Sequence, residues 1–192
     1  MRDLLSPWGE LRPQAASEWQ GEIPLPAVVA DFYEQVGPWG EIVNEKVGPA
    51  GLSLDAGGNP VDIAILKNLW ARQACYRWHG NTGQRLPEWQ DHWLVVATEG
   101  SNPFMLDTLS GQVYFALAGS KPDFQLFAPD LLTAFAAIAC VANSMRELDE
   151  QAFDDTYELT AAARAQVTLD LDELLAGSAD ARQMLAAWRW YC

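Results

Sequence analysis

Between Trp93 and Leu117 apolar runs alternate with turn formers: Trp93 to Ala97, Pro103 to Leu106 and Gln112 to Leu117 are separated by Glu99-Gly100-Ser101-Asn102 and Asp107-Thr108-Leu109-Ser110-Gly111. The runs are rich in Val, Leu, Phe and Tyr, and both separators have tight-turn composition, so the pattern predicts three adjacent antiparallel strands, a β-meander. Upstream, Val28, Val29, Phe32, Tyr33 and Val36 recur at helical spacing behind Pro26 and stop at Gly37, predicting a short amphipathic helix. Gly37-Pro38-Trp39-Gly40 turns the chain, Glu41 to Val47 alternates as a strand, and Asp55 to Pro60 turns it again. From Asp62 to Trp78 the positions Ile65, Leu66, Leu69, Trp70, Gln73, Ala74, Arg77 and Trp78 follow a period near ~3.6, which predicts a helix ended by His79-Gly80-Asn81.

After the meander, Pro129-Asp130 opens a segment from Leu131 to Ala142 that is apolar nearly all round, the pattern of a buried helix. At roughly a dozen residues it falls short of the ~20 that a membrane span requires. Beyond Met145 acids and alanines alternate, predicting two or three helices separated near Gly177-Ser178-Ala179-Asp180, with Ser178 as a cap. The expected architecture is α+β: one twisted antiparallel sheet flanked by helices over residues 1–145, and an acidic helical extension over 146–192 packed on the same domain. Trp93, at the mouth of the meander, reads as core. Trp188, Trp190 and Tyr191 read as packing the tail onto the domain, or as a sticky end for a second copy.

Charge narrows the function. Twelve Lys and Arg against 26 Asp and Glu leave a net charge of −14, which disfavours nucleic acid and anionic lipid and favours a basic protein. Cys75, Cys140 and Cys192 have no CxxC spacing, so no disulfide framework is expected, and the N-terminal residues lack a signal-peptide pattern; both point to the cytoplasm. Catalytic sets are missing from the pattern. His79 and His92 lie thirteen positions apart without metal-ligand spacing, and Asp107 stands where a carboxylate satisfies turn N–H groups. Gly57-Gly58 and Gly119-Ser120-Lys121 lack phosphate-loop spacing. The expectation is a protein that is not an enzyme and uses no cofactor or metal.

The order of elements carries a resemblance. A Leu25-Pro26 step before the first helix, the turn Gly37-Pro38-Trp39-Gly40, Trp93 before the first meander strand, Gly100 in the first turn, Asp107 at a strand end, Gly111, Val113 and Tyr114 in the third strand, and a closing helix from Pro129 to Ala142 together resemble the SUKH superfamily over about Glu18 to Asn143. Ser101-Asn102-Pro103 stands where members of that family often carry a Gly-Asp pair, and the segment after Asn143 has no counterpart in the pattern. The resemblance implies a protein-binding module of the kind formed by the yeast cell-wall-synthesis regulator and by bacterial immunity proteins, which neutralise a cognate toxin. The alternatives are a regulatory interaction module outside immunity and, from another class, a small-molecule binder or enzyme using a cleft beside the sheet.

Two surfaces are candidates for a partner. Trp39 lies between Pro38 and Gly40 in a turn expected at the surface, and an exposed Trp is a common hot spot. Between Arg146 and Glu173 nine acids, Asp149, Glu150, Asp154, Asp155 and Glu158 among them, oppose two bases, a local charge of −7. This run is either a solvated face or a surface that docks a basic toxin, such as a nuclease.

Overall fold

The computed structural model describes residues 1–44, 46–119 and 123–190. A single turn of helix, α1 (Arg2–Leu5), precedes α2 (Ala27–Gln35), which begins after Pro26 and buries Val29, Phe32 and Tyr33 along the predicted stripe. The stretch expected as one strand over 41–47 instead turns back on itself: β1 (Ile42–Asn44) pairs with β2 (Gly48–Pro49) in a two-stranded hairpin outside the main sheet.

The main sheet has six strands: β3 (Leu52–Leu54), β4 (Val61–Ile63), β5 (Trp93–Glu99), β6 (Asn102–Asp107), β7 (Val113–Phe115) and β8 (Gln125–Ala128). Spatial order equals chain order and every pairing is antiparallel. The three predicted strands form the β5-β6-β7 centre, in a register running from Trp93↔Asp107 to Glu99↔Asn102. Gly100 supplies the positive φ of 57° that the two-residue β5–β6 turn needs.

The helix expected over Asp62–Trp78 is overturned. Its start is β4, where the β-branched pair Val61 and Ile63 buries one face of the sheet. Only α3 (Leu66–Leu69) and a 3₁₀ turn at Ala71–Gln73 are helical, and Cys75 at φ 71° reverses the chain. Apolar residues of a strand, a turn and a loop had mimicked one helical stripe.

α4 (Leu131–Leu148) is capped by Asp130, whose carboxylate accepts from the Thr133 N–H at 2.8 Å and from its hydroxyl at 2.9 Å. Running six residues past the apolar pattern, it is the one helix among the described residues long and apolar enough to cross a membrane, and most of it is buried in the core. α5 (Ala161–Leu175) packs along α4, and α6 (Ala181–Trp188) packs on β7 and β8. Asp180 caps α6 through the Gln183 N–H; Ser178, the expected cap, instead donates to the Leu175 carbonyl. The 145/146 boundary therefore falls inside α4, and α5 and α6 contribute Val167, Leu171, Met184 and Trp188 to one continuous core. The tail folds inward: Trp188 is 1% exposed against Phe104 and Phe127, and the Trp190 indole donates to the Ala56 carbonyl. Tyr191 and Cys192 lie outside the described residues.

The sheet has two dissimilar faces. Leu94, Phe104, Leu106, Val113 and Phe115 meet the helices, whereas Val95, Met105 and Tyr114 form a second, smaller cluster with Trp89 and Phe124. Trp93 belongs to this second face and is only half-buried, a correction to its reading as core. At the other end of β5, burial pushes the Glu99 carboxyl above its usual value, opposed by a hydrogen bond from Asn102. A raised carboxyl pKa means the folded state favours the proton, so Glu99 costs stability once pH rises above its folded pKa. Glu99→Gln is expected to give a small rise in melting temperature at neutral pH. That rise should shrink as pH falls through the carboxyl range; a difference constant with pH would refute the assignment.

Candidate functional site

The acidic segment is shaped by how α4 ends. Asp149 leaves the helix at φ 50° and opens a 3₁₀ turn, Asp149–Ala152, after which residues 153–160 form a closed loop. Phe153 bridges to Leu159, the Asp154 N–H donates to the Glu158 carbonyl, and the Thr160 N–H donates to the Ala152 carbonyl. Within the loop Asp154 accepts from the Thr156 hydroxyl at 2.6 Å, the Thr156 N–H at 2.8 Å and the Glu158 N–H at 3.1 Å. The Thr156 hydroxyl above all, then the backbone donors, hold its carboxyl below the usual range. Asp154 thus builds the loop.

Its neighbours are differently placed. Asp149, Glu150, Asp155 and Glu158 are exposed, and no acid between Arg146 and Glu173 takes part in a salt bridge among the described residues. Asp170, in the same charge run, is half-buried and accepts from Ser144 and Gln166, an internal role on α5. Beside the loop lies a cavity of about 250 Å³ lined by Trp8, Asp55, Met145, Arg146, Asp149 and Phe153. Arg146 is engaged there, its guanidinium 5.5 Å from the Trp8 ring and donating to the Pro7 carbonyl. Tyr157, at the loop tip, is 87% exposed. The result is a loop that sets one exposed aromatic ring and several exposed carboxylates next to a cavity walled by Trp8, Met145 and Phe153 together with Asp55, Arg146 and Asp149.

Trp39 is half-buried rather than exposed. Residues 10–12 run beside its turn: Leu11 bridges to Pro38, the Trp39 N–H donates to the Glu10 carbonyl, and the Arg12 guanidinium lies 5.0 Å from the ring. The exposed apolar side chains here are Ile42, Val43 and Val47 on the β1–β2 hairpin, each 60% exposed. At the hairpin's base Gly40 packs closely on Gly9, where a Cβ would meet the Gly40 Cα at 3.2 Å.

Asp107 accepts from the Leu109 and Ser110 N–H groups, the turn role its position suggests, and stands 3.9 Å from His92 Nε2. His79 is exposed in a loop. Among the described residues no group of three or more His, Cys, Asp or Glu is placed to hold a metal ion.

The structure also assembles a region that the sequence pattern did not reveal, residues 70–93. β4 reaches only the C-terminal end of β5, pairing at Glu99 and Thr98, so the backbone of Trp93 and Val95 on that edge lacks a strand. Side chains replace it. Gln73, fully buried, donates to the Val95 carbonyl and accepts from its N–H, both at 2.9 Å. Arg77 and the Trp89 indole both donate to the Trp93 carbonyl. Burial lowers the Arg77 pKa, with Asp91 opposing that effect, and its Nε has no acceptor among the described residues. Two cavities flank the segment: one of about 300 Å³ with Tyr76, Trp89, Trp93 and Phe124, and one of about 430 Å³ with Trp70, Trp78, Arg77, Arg85, Asp91 and Glu22. The only sequence signal for them is the local density of tryptophan.

No family model, no curated protein and no solved structure matches this chain.

Proposed function

We propose that this chain is a protein-binding module of the immunity type, acting in the cytoplasm to dock and occlude a basic toxin domain, without catalysis, cofactor or metal. The observation that carries the reading is the loop over 149–158: four exposed carboxylates without salt bridges among the described residues and an exposed tyrosine, beside a cavity whose wall Asp149 shares with Trp8, Met145 and Phe153. Apolar and aromatic surface flanked by charge is the anatomy of a protein interface, and a net charge of −14 steers a basic partner toward it. The order of helix, meander and helix that resembles the SUKH superfamily supports the same class of function.

The test is charge reversal. Changing Asp149, Glu150, Asp155 and Glu158 to Lys, with Asp154 left to hold the loop, moves the net charge from −14 to −6. A basic protein captured from the native cell by the wild type is expected to associate with the variant at least tenfold more slowly at low salt, with a flattened salt dependence, because steering acts on the encounter rate. Melting should change little for Glu150, Asp155 and Glu158, exposed charges that contribute about half a kcal/mol or less each; Asp149 ends α4 at φ 50°, so the variant that keeps Asp149 serves as the stability control. Equal association rates and equal salt slopes would assign these acids to solvation and move the interface to Ile42, Val43 and Val47.

A further inference from the structure

We infer that the cavity between Trp70, Trp78 and Asp91 is a binding site for an uncharged planar heterocycle of the nucleobase type, separate from the acidic loop. Its volume, about 430 Å³, is the largest of the cavities described above and within the range of small-ligand sites. Aromatic surface comes chiefly from Trp78: its ring centroid lies 5.2 Å from that of Trp70 at 49°, while Trp70 carries the Arg77 guanidinium 5.2 Å from its centroid and has Trp19 edge-on, so it acts as the buttress. An indole held in place by such neighbours offers stacking surface to a flat ring.

The polar lining selects for a mixed edge. Arg77 and Arg85 are balanced by Asp91 and Glu22, so the cavity carries no net charge in a chain that is otherwise strongly acidic. Asp91 uses one oxygen, Oδ1, for both arginines: Arg85 is in contact and Arg77 Nη1 is at 3.6 Å. Its second oxygen and the Glu22 carboxylate make no hydrogen bond or salt bridge among the described residues, and neither do Nε and Nη1 of the exposed Arg85; Arg77 Nε also has no acceptor but is buried away from the cavity. Unused acceptors beside unused guanidinium donors match a ligand edge holding N–H donors next to a carbonyl or ring-nitrogen acceptor. A guanine edge has this arrangement; a phosphate would meet two carboxylates.

The inference is tested with guanosine, adenosine, uridine and guanosine monophosphate, titrated at millimolar concentration into the intact protein while the indole N–H resonances are followed by NMR. Guanosine is expected to shift the Trp70 and Trp78 signals, to bind at least tenfold better than adenosine or uridine, and to bind no more weakly than its monophosphate. Trp78→Ala should weaken guanosine on the order of ten- to a hundredfold. Glu22→Gln, at an exposed position that leaves the fold intact, should weaken it by a smaller factor. Failure of every probe to bind, shifts confined to Trp89 and Trp93, equal binding of all three nucleosides, or a clear preference for the monophosphate would each overturn the inference. None of these outcomes bears on the charge-reversal experiment, so the two readings fail separately.

Discussion

Replacing Trp188 with Ala is expected to cost the fold about 3–5 kcal/mol, the usual range for an aromatic-to-Ala change in a packed core. The side chain is among the largest that the structure fully buries, held edge-on against Phe104 at 5.4 Å and Phe127 at 5.7 Å. Because α6 meets the sheet through this ring, the void opens at the joint between the C-terminal helices and β7–β8. For a chain of this size each kcal/mol lowers the melting temperature by about 2–4 °C, so a fall of roughly 6–20 °C is expected by calorimetry. A loss below ~1 kcal/mol would show that α6 is a removable appendage and that residues 146–192 form a separate layer.

Gln73→Leu is expected to be nearly as damaging although it conserves shape. The buried amide replaces a missing strand for Val95, meeting both its N–H and its carbonyl, and also donates to the Leu69 carbonyl. Leucine leaves the two Val95 groups buried without partners at about 1–3 kcal/mol each, so the loss should lie near 2–6 kcal/mol. Amide exchange at Val95 should accelerate more than at Leu106 in the neighbouring strand. Unchanged exchange at Val95 would mean that water or backbone, not Gln73, satisfies that edge.

These two residues also mark what the chain announces and what it hides. The β5-β6-β7 meander was legible because each strand is bounded by turn formers whose chemistry the turn uses, Gly100 at positive φ and Asp107 accepting two N–H groups. The α4 start was legible through Pro129-Asp130, and the Asp130 carboxylate does cap the helix by accepting from the Thr133 N–H. β3, β4 and β8 were missed because three or four residues carry too little alternation to register, and β4 was absorbed into a false helical period. The acidic surface could be read as a charge sum. The separation of Asp154 from its neighbours could not, since it depends on a loop closing around Thr156, although the Asp-x-Thr spacing was a signal for it. The Trp70–Trp78–Asp91 cavity has no signature beyond the local density of tryptophan. Its residues meet only because Cys75 reverses the chain and Arg77 reaches two carbonyls, those of Asp91 and Trp93.

The sequential order of the six-stranded sheet has a consequence for how the chain is made. Each strand pairs with the one synthesised just before it, so β3 to β8 can zip in order as they leave the ribosome, with short loops to close for most pairings. The layer that shields Phe104, Phe115 and Phe127 is encoded afterwards, in α4 and α6. For the time needed to translate those 60 or so residues, several seconds at ordinary elongation rates, a nascent sheet presents an aromatic face to the cell. Ribosome-associated chaperones that recognise such surfaces should therefore engage this chain in a window that opens at β8 and shuts when α6 docks.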